Sequence, residues 1–430
     1  MNSKYILLML MAFLMMGCEK QESTEITNPS DYNDYLTLQD NSALQNAEEN
    51  LKFWNDKLEQ QPNQFPYLAK LASANTRLFD LTGNIDFLKK AEQYYVEVNE
   101  KTNYQTPGYL HGLARNYISQ HKFKEALDML TKAELIGDKL VATQKMLFDV
   151  HLELGNYQLA KTYLSKFENF SDFDYLIRLS KLSDHNGDLD SAIDYMERAM
   201  AKAESSNLKN MKSWSYSNIA DFYGHAGNIQ ASYDHYLKAL EINPSDAYSK
   251  KGIAWIVYSH EKNPEEALRI LNTVTKDYSA PDYHLLKAEI AEYMGNDALQ
   301  EEEMEAYQTV VNNEAYGDMY NKYNVLLYSD DQNRMQDAIR IAQTEVTNRP
   351  TPQSYDLLAW AHFKNGNLDE ALSIVETQII DKTYEPETLY HVAEIYKAAG
   401  EEDKVKPLKK ELVASIYELG PTMESKINQL

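Results

Sequence analysis

Small side chains return along this chain at a nearly fixed interval, and that register constrains its fold more than any other feature. Ala91, Ala126, Ala160, Ala192, Ser232 and Ala267 are separated by 35, 34, 32, 40 and 35 residues; Ala338 follows after 71, or two intervals, and Ala371 and Val405 after 33 and 34. An interval of about 34 residues held over most of a chain is the signature of stacked supersecondary units, none of which can bury its apolar face alone.

One unit can be read in full from Ser213 to Asp246. Tyr216, Ile219, Ala220 and Tyr223 fall three or four apart, so they share one face of a first helix. Gly227-Asn228 ends that helix, because glycine reaches the left-handed conformation cheaply. Ser232, Tyr236, Ala239 and Leu240 repeat the spacing in a second helix, and Asn243-Pro244 stops it. The result is an antiparallel helix pair. Its small residues let the two backbones approach toward the short end of the usual packing distance, about 8–10 Å.

The match at Tyr216, Ile219-Ala220, Tyr223, Gly227, Ser232, Tyr236, Ala239 and Pro244 resembles the tetratricopeptide repeat (TPR) family. Other stretches carry the same offsets, including Leu110, Leu113-Ala114, Tyr117, Phe123, Ala126 and Leu130, where His121 replaces the turn glycine, and Tyr355, Leu358-Ala359, Gly366, Leu368 and Ala371. The resemblance implies an all-α, right-handed TPR superhelical solenoid of about eleven helix–turn–helix repeats. We expect an N-terminal block over 46–206 and a C-terminal block over 207–418, followed by a tail at 419–430. The long step contains AKAESSNLKN, a lengthened second helix and loop that marks a bend or subdomain boundary. A weak repeat lies between Pro281 and Asp318, where Glu303 stands at a small-residue position and predicts looser packing.

Ahead of the repeats, residues 1–17 combine Lys4 with an apolar run from Tyr5 to Met16, too short to span a bilayer comfortably, and read as a secretion signal. Cys18, the sole cysteine, follows directly. Its placement resembles the lipobox of bacterial lipoproteins, which implies a lipid on Cys18, an outer-membrane anchor facing the periplasm or the cell surface, and no disulfide. Glu19, Lys20 and Glu22 resemble the export tag of Bacteroidetes surface lipoproteins, and residues 18–45, polar and acidic, read as a flexible tether. The formal charge of −24 argues against nucleic acid as a partner.

The sequence holds no GxSxG, GxxxxGK[ST], HExxH or cysteine pair, so no catalytic residue, metal ligand or cofactor is expected. His151 and His362 sit on apolar stripes, where packed histidines are the common case. What the TPR resemblance implies is a groove lined by the first helix of each pair. Carried onto this chain, that face displays His111, Arg115, Lys145, Arg178 and Lys181 in a basic first half, with Asp149 among them. Trp214, Asn218, Lys251, Trp255, Tyr258, Trp360, Phe363 and Tyr390 follow in an aromatic second half, with Asp221 and Glu394 beside them. Such a face implies a non-enzymatic scaffold for a protein or peptide ligand, anchored through the Cys18 lipid. The alternative is a surface lipoprotein that stacks glycans on its aromatics beside an outer-membrane transporter.

Overall fold

The computed structural model describes residues 25–37 and 42–430, all helix, turn and loop with no strand among the described residues. Cys18 and the signal segment lie outside them. After α1 (Pro29–Thr37) and α2 (Ser42–Gln60), ten antiparallel pairs follow in order. They are α3 (Pro66–Thr82) with α4 (Ile85–Lys101), α5 (Pro107–Ser119) with α6 (Phe123–Ile136), and α7 (Leu140–Glu153) with α8 (Tyr157–Ser165). Next come α9 (Phe173–His185) with α10 (Leu189–Ser206), α11 (Lys209–His225) with α12 (Ile229–Ile242), and α13 (Ala247–Trp255) with α14 (Pro264–Val274). The last four are α15 (Asp282–Tyr293) with α16 (Asp297–Val311), α17 (Asn321–Ser329) with α18 (Met335–Asn348), α19 (Pro352–Lys364) with α20 (Leu368–Ile374), and α21 (Pro386–Ala398) with α22 (Glu402–Ala414). Two short helices, α23 (Ile416–Leu419) and α24 (Met423–Gln429), close the chain.

A two-residue device repeats at the turns inside the pairs. Gly187, Gly227 and Gly295 end their helices at positive φ, and the next residue, Asp188, Asn228 or Asn296, accepts a backbone N–H at the start of the following helix. His121, read as a replacement for the turn glycine, takes the same left-handed conformation at φ 59°. The small positions do what their spacing requires: Ala126, Ala160, Ala192, Ser232, Ala267, Ala338 and Ala371 are fully buried between helices. The extra residues of the 40-residue step extend both α10 and α11, with Asn207 in the left-handed region between them.

At the weak repeat the expected loosening is replaced by an ion cluster. Glu303 is 7 % exposed and accepts from His284 Nδ1 at 2.6 Å and pairs with Lys287 at 2.7 Å. Burial alone would raise this carboxyl, but His284 and Lys287 hold it below the usual range. Sequence spacing shows the missing small residue and not the two cations that fill its place.

The array winds tightly enough to touch itself. Ser279 donates its backbone N–H to the Thr82 carbonyl at 2.8 Å, Lys124 reaches the Thr347 carbonyl at 2.7 Å, and Arg349 meets Glu153 at 3.3 Å. The contacts join residues 196 to 223 positions apart, roughly six repeats. Glycine at two turns makes this approach feasible: a Cβ on Gly155 would lie 2.9 Å from the Pro350 carbonyl oxygen, and one on Gly187 would lie 2.5 Å from the Tyr384 ring.

The N-terminal segment is also docked, which corrects the reading of residues 18–45 as a flexible tether for the part at 25–37. The backbone N–H groups of Ile26 and Thr27 donate to Glu261 at 2.7 and 2.6 Å, and Tyr32, 1 % exposed, donates to Glu266 at 2.6 Å. Burying Tyr32 and Leu36 against α12 and α14 offsets the ordering of this short helix by roughly 1.5–3 kcal/mol per side chain. Their partners lie more than 200 residues away in sequence, beyond the reach of local composition.

Candidate partner-binding groove

The first helices of successive pairs stand side by side, and the residues expected on their inner face fall into two different environments. In the N-terminal half the bases are consumed by neighbours. Lys145 on α7 pairs with Asp172 and Asp174 at the start of α9, both at 2.9 Å. Arg178 donates to Asp149 at 2.5 Å and to the carbonyls of Lys145 and Asp174 at 3.1 and 2.9 Å. Lys181 reaches Glu153 at 2.9 Å, which also takes Arg349 from the next superhelical turn. These bases form a ladder between helices. His111 departs from the expectation, being buried with Nε2 2.8 Å from Thr143 Oγ1; burial first, then Arg115 and Lys139, pushes its pKa down to about 4. Only Arg115 of this group is exposed with no ion pair among the described residues.

Between the halves, Trp214 and Asn218 line a cleft of about 570 Å³ together with Arg77, Lys209 and Tyr248. Trp214 is 42 % exposed, held edge-on by Phe173 at 5.8 Å, and its carbonyl accepts from Asn218 Nδ2 at 2.8 Å. Asp221 accepts from Tyr236 and Tyr248. Lys251 is half-buried, ion-paired with Asp282 and 5.0 Å from the Tyr283 ring.

The C-terminal half is a chamber. Trp255, Trp360, Phe363 and Tyr390 come together around a cavity of about 1,090 Å³ on the inner face of α13, α15, α17, α19 and α21. Trp360 stacks on His391 with centroids 4.1 Å apart, and His391, raised by its partner Asp356 against the cost of burial, holds that carboxylate at 3.0 Å beneath the ring. Phe363 and Tyr390 flank Trp360 at 5.4 and 6.4 Å. Buried His391 thus fixes the ring from behind. It was missed by sequence reasoning because Tyr390 beside it occupies the groove register.

Tyr258 does not belong to this lining, a correction with a local cause. After Trp255 the helix widens into a π-turn at Ile256–His260, which shifts the register and swings Tyr258 into the core, fully buried. There its hydroxyl donates to Glu289 at 3.1 Å.

The far wall of the chamber is the chain's own C-terminus. The Tyr417 carbonyl accepts from Trp255 Nε1 at 3.1 Å and from Ser259 at 2.7 Å, while the Tyr417 ring packs where Gly224 leaves space on α11. Leu419, Met423 and Ile427 then pack back onto Leu389 and Ala393 of α21. The stretch at 419–430 is therefore a clasp across the groove, with Trp255 as its anchor.

Carboxylates crowd the same space: Glu289, Glu292, Asp330, Glu387, Glu394 and Glu418 line it, against Lys364 and Lys426. Lys364 pairs with Asp330 at 2.5 Å and Glu387 with Lys322 at 2.5 Å. Burial, with Glu292 adding, pushes Glu289 up to about 7 against the hydrogen bonds from Tyr258 and Thr422. Among the described residues no three His, Cys, Asp or Glu side chains are placed to hold a metal ion.

Residues 215–246, the unit at the centre of the array, match the tetratricopeptide repeat family. No curated protein matches the chain in sequence. Among solved structures, the human IFIT1 dimer with m7Gppp-AAAA is similar at 13 % identity over 76 % of this chain and 75 % of that one, with a TM-score of 0.47. A tetratricopeptide repeat protein from Parabacteroides merdae is similar at 16 % identity over 61 % of this chain and 97 % of that one, TM-score 0.34. The Cut9–Hcn1 hetero-tetramer of the APC/C is similar at 13 % over 94 % and 98 %, TM-score 0.34. These likenesses concern the fold alone.

Proposed function

We propose that this chain is a non-enzymatic scaffold that holds a protein or peptide on its concave face, tethered to the outer membrane by a lipid on Cys18. The observation that carries the reading is the aromatic chamber, whose volume of about 1,090 Å³ suits several side chains of an extended segment. Trp255, Phe363 and Tyr390 are half-buried aromatics of the kind that anchor protein partners, and Trp360, only 9 % exposed and stacked on His391, supports them from beneath. The capped RNA in the human IFIT1 structure is a feature of that protein. A chain with a net charge of −24 and a carboxylate-lined chamber repels a polyphosphate.

The test places a photo-crosslinking side chain at Leu326, inside the chamber, and another at Glu301, on a second helix, in the native cell. A discrete polypeptide adduct from position 326 that is absent from 301 supports the scaffold. A chamber that yields no polypeptide, while Trp fluorescence responds to micromolar polysaccharide, replaces it with the glycan reading. Cys18→Ser should release the protein from membranes if the lipid is the tether, and protease shaving of intact cells then decides which side of the outer membrane the groove faces.

A further inference from the structure

The charge of the chamber is unmatched where the rest of the inner face is matched. In the N-terminal half Asp149, Glu153, Asp172 and Asp174 each meet a Lys or Arg within 3.3 Å. In the chamber, Glu292, Glu394 and Glu418 meet none among the described residues, although all three line the cavity. Like charges gathered at a partly desolvated surface raise its energy unless something brings the opposite sign.

The aromatic rings make the same demand by a second route. Trp, Tyr and Phe faces attract cations within about 6 Å of the ring centre. The chain already supplies one example: the Lys364 ammonium sits 5.3 Å from the Trp360 centroid while pairing with Asp330. A second ammonium, Lys426 of the clasp, enters the lining and lowers Glu289. Lys364 therefore sits where a ring face and a carboxylate converge, Lys426 faces a carboxylate, and more carboxylates remain than the two can satisfy.

Building on the reading that the groove holds a polypeptide, we propose that the chamber receives a positively charged stretch of that partner, its lysine or arginine side chains entering between the half-buried Tyr390 ring and the carboxylates of Glu292 and Glu394. Arginine is the better fit, because its planar group stacks on an aromatic face and donates to a carboxylate at once. Glu289 adds a proton-linked component. It is faced by Tyr258 of the π-turn, by Glu292 on its own helix, and by Thr422 and Lys426 of the clasp. An arriving cation favours its ionised form, so binding should release a proton near neutral pH and strengthen as the pH rises through about 7.

The experiment titrates the full chain with an end-blocked hexapeptide of alternating arginine and glycine, read by Trp fluorescence and calorimetry, beside the same peptide with glutamate for arginine. The arginine peptide is expected to bind and the glutamate peptide not to. Glu292→Gln with Glu394→Gln should weaken binding about tenfold or more, as expected for loss of charge-assisted contacts. Glu301→Gln with Glu302→Gln, two exposed carboxylates on α16, should change it by less than about twofold. Failure of the arginine peptide to bind the unaltered chain overturns the proposal, as does an equal loss in the α16 variant, which would mean diffuse attraction to an acidic protein. A polypeptide that crosslinks at Leu326 equally in the unaltered chain and in the Glu292/Glu394 variant would leave the scaffold standing and sink the cationic ligand alone.

Discussion

The two halves of the inner face are built from the same repeat and have opposite electrostatic habits. Along α7 and α9, Asp149, Glu153 and Asp174 are each neutralised by a base on a neighbouring helix, so these charges serve cohesion. Along α15 and α21, Glu292 and Glu394 face a cavity beside aromatic rings, and no Lys or Arg among the described residues pairs with them. A repeat array keeps its fold with either arrangement, because the fold rests on the buried small and apolar positions between helices. The inner face is free to be spent on stability in one half and on recognition in the other.

The most direct way to break this comparison is to remove one carboxylate from each half. Asp149→Ala leaves Arg178, whose side chain is only 13 % exposed, with its two carbonyl acceptors but without its counter-charge, and should cost about 2–4 kcal/mol. Glu292→Gln strands nothing and relieves repulsion with Glu289, so the change should stay within about 0.5 kcal/mol of zero or be stabilising. Urea unfolding of both variants decides it, and equal losses would mean that the chamber carboxylates are structural after all.

A subtler contrast is in pH. Glu289 titrates in the folded chain at about 7, above its unfolded value near 4.5, so between those limits the folded state holds a proton that the unfolded state lacks. Its contribution is therefore favourable at low pH and is lost as the pH rises through about 7. Glu153 has the opposite sign: burial raises it, but Lys181 and Arg349 together hold it below 4.5, so its contribution is present above 4.5 and fades as the pH falls below that. Replacing Glu289 with Gln should flatten the fall in urea midpoint between about pH 5 and 7.5, leaving the acid limb untouched. An unchanged slope in Glu289→Gln would remove Glu289 from the account.

Much of the array was legible because its determinants are local. The small-residue register, the Gly-Asn and Gly-Asp turns and even the left-handed His121 each depend on residues within one unit. What stayed hidden depends on residues far apart in sequence. The self-contact of the superhelix joins Thr82 to Ser279 and Glu153 to Arg349, and no period of 34 residues announces a return after roughly 195. The same holds for Tyr32 on α14 and Tyr417 on α11. One trace of the clasp was present in the sequence: Gly224 sits inside a helix without ending it, a sign that something approaches closely. Tyr258 was misplaced for another reason, since a helical wheel assumes one period and α13 changes its own.

The smallest expected effect sharpens the comparison most finely, because it asks whether the paired half is redundant. Lys181 is 45 % exposed along its side chain, and its partner Glu153 keeps Arg349 at 3.3 Å when Lys181 is gone. Exposed pairs contribute about 0–1 kcal/mol, so Lys181→Met should cost no more than that in urea unfolding at neutral pH. The loss should shrink toward acid, since protonating Glu153 removes the charge that Lys181 pairs with. A cost above about 2 kcal/mol at neutral pH would show that the ladder has no slack, and that Arg349 holds the superhelical turns together only with Lys181 in place.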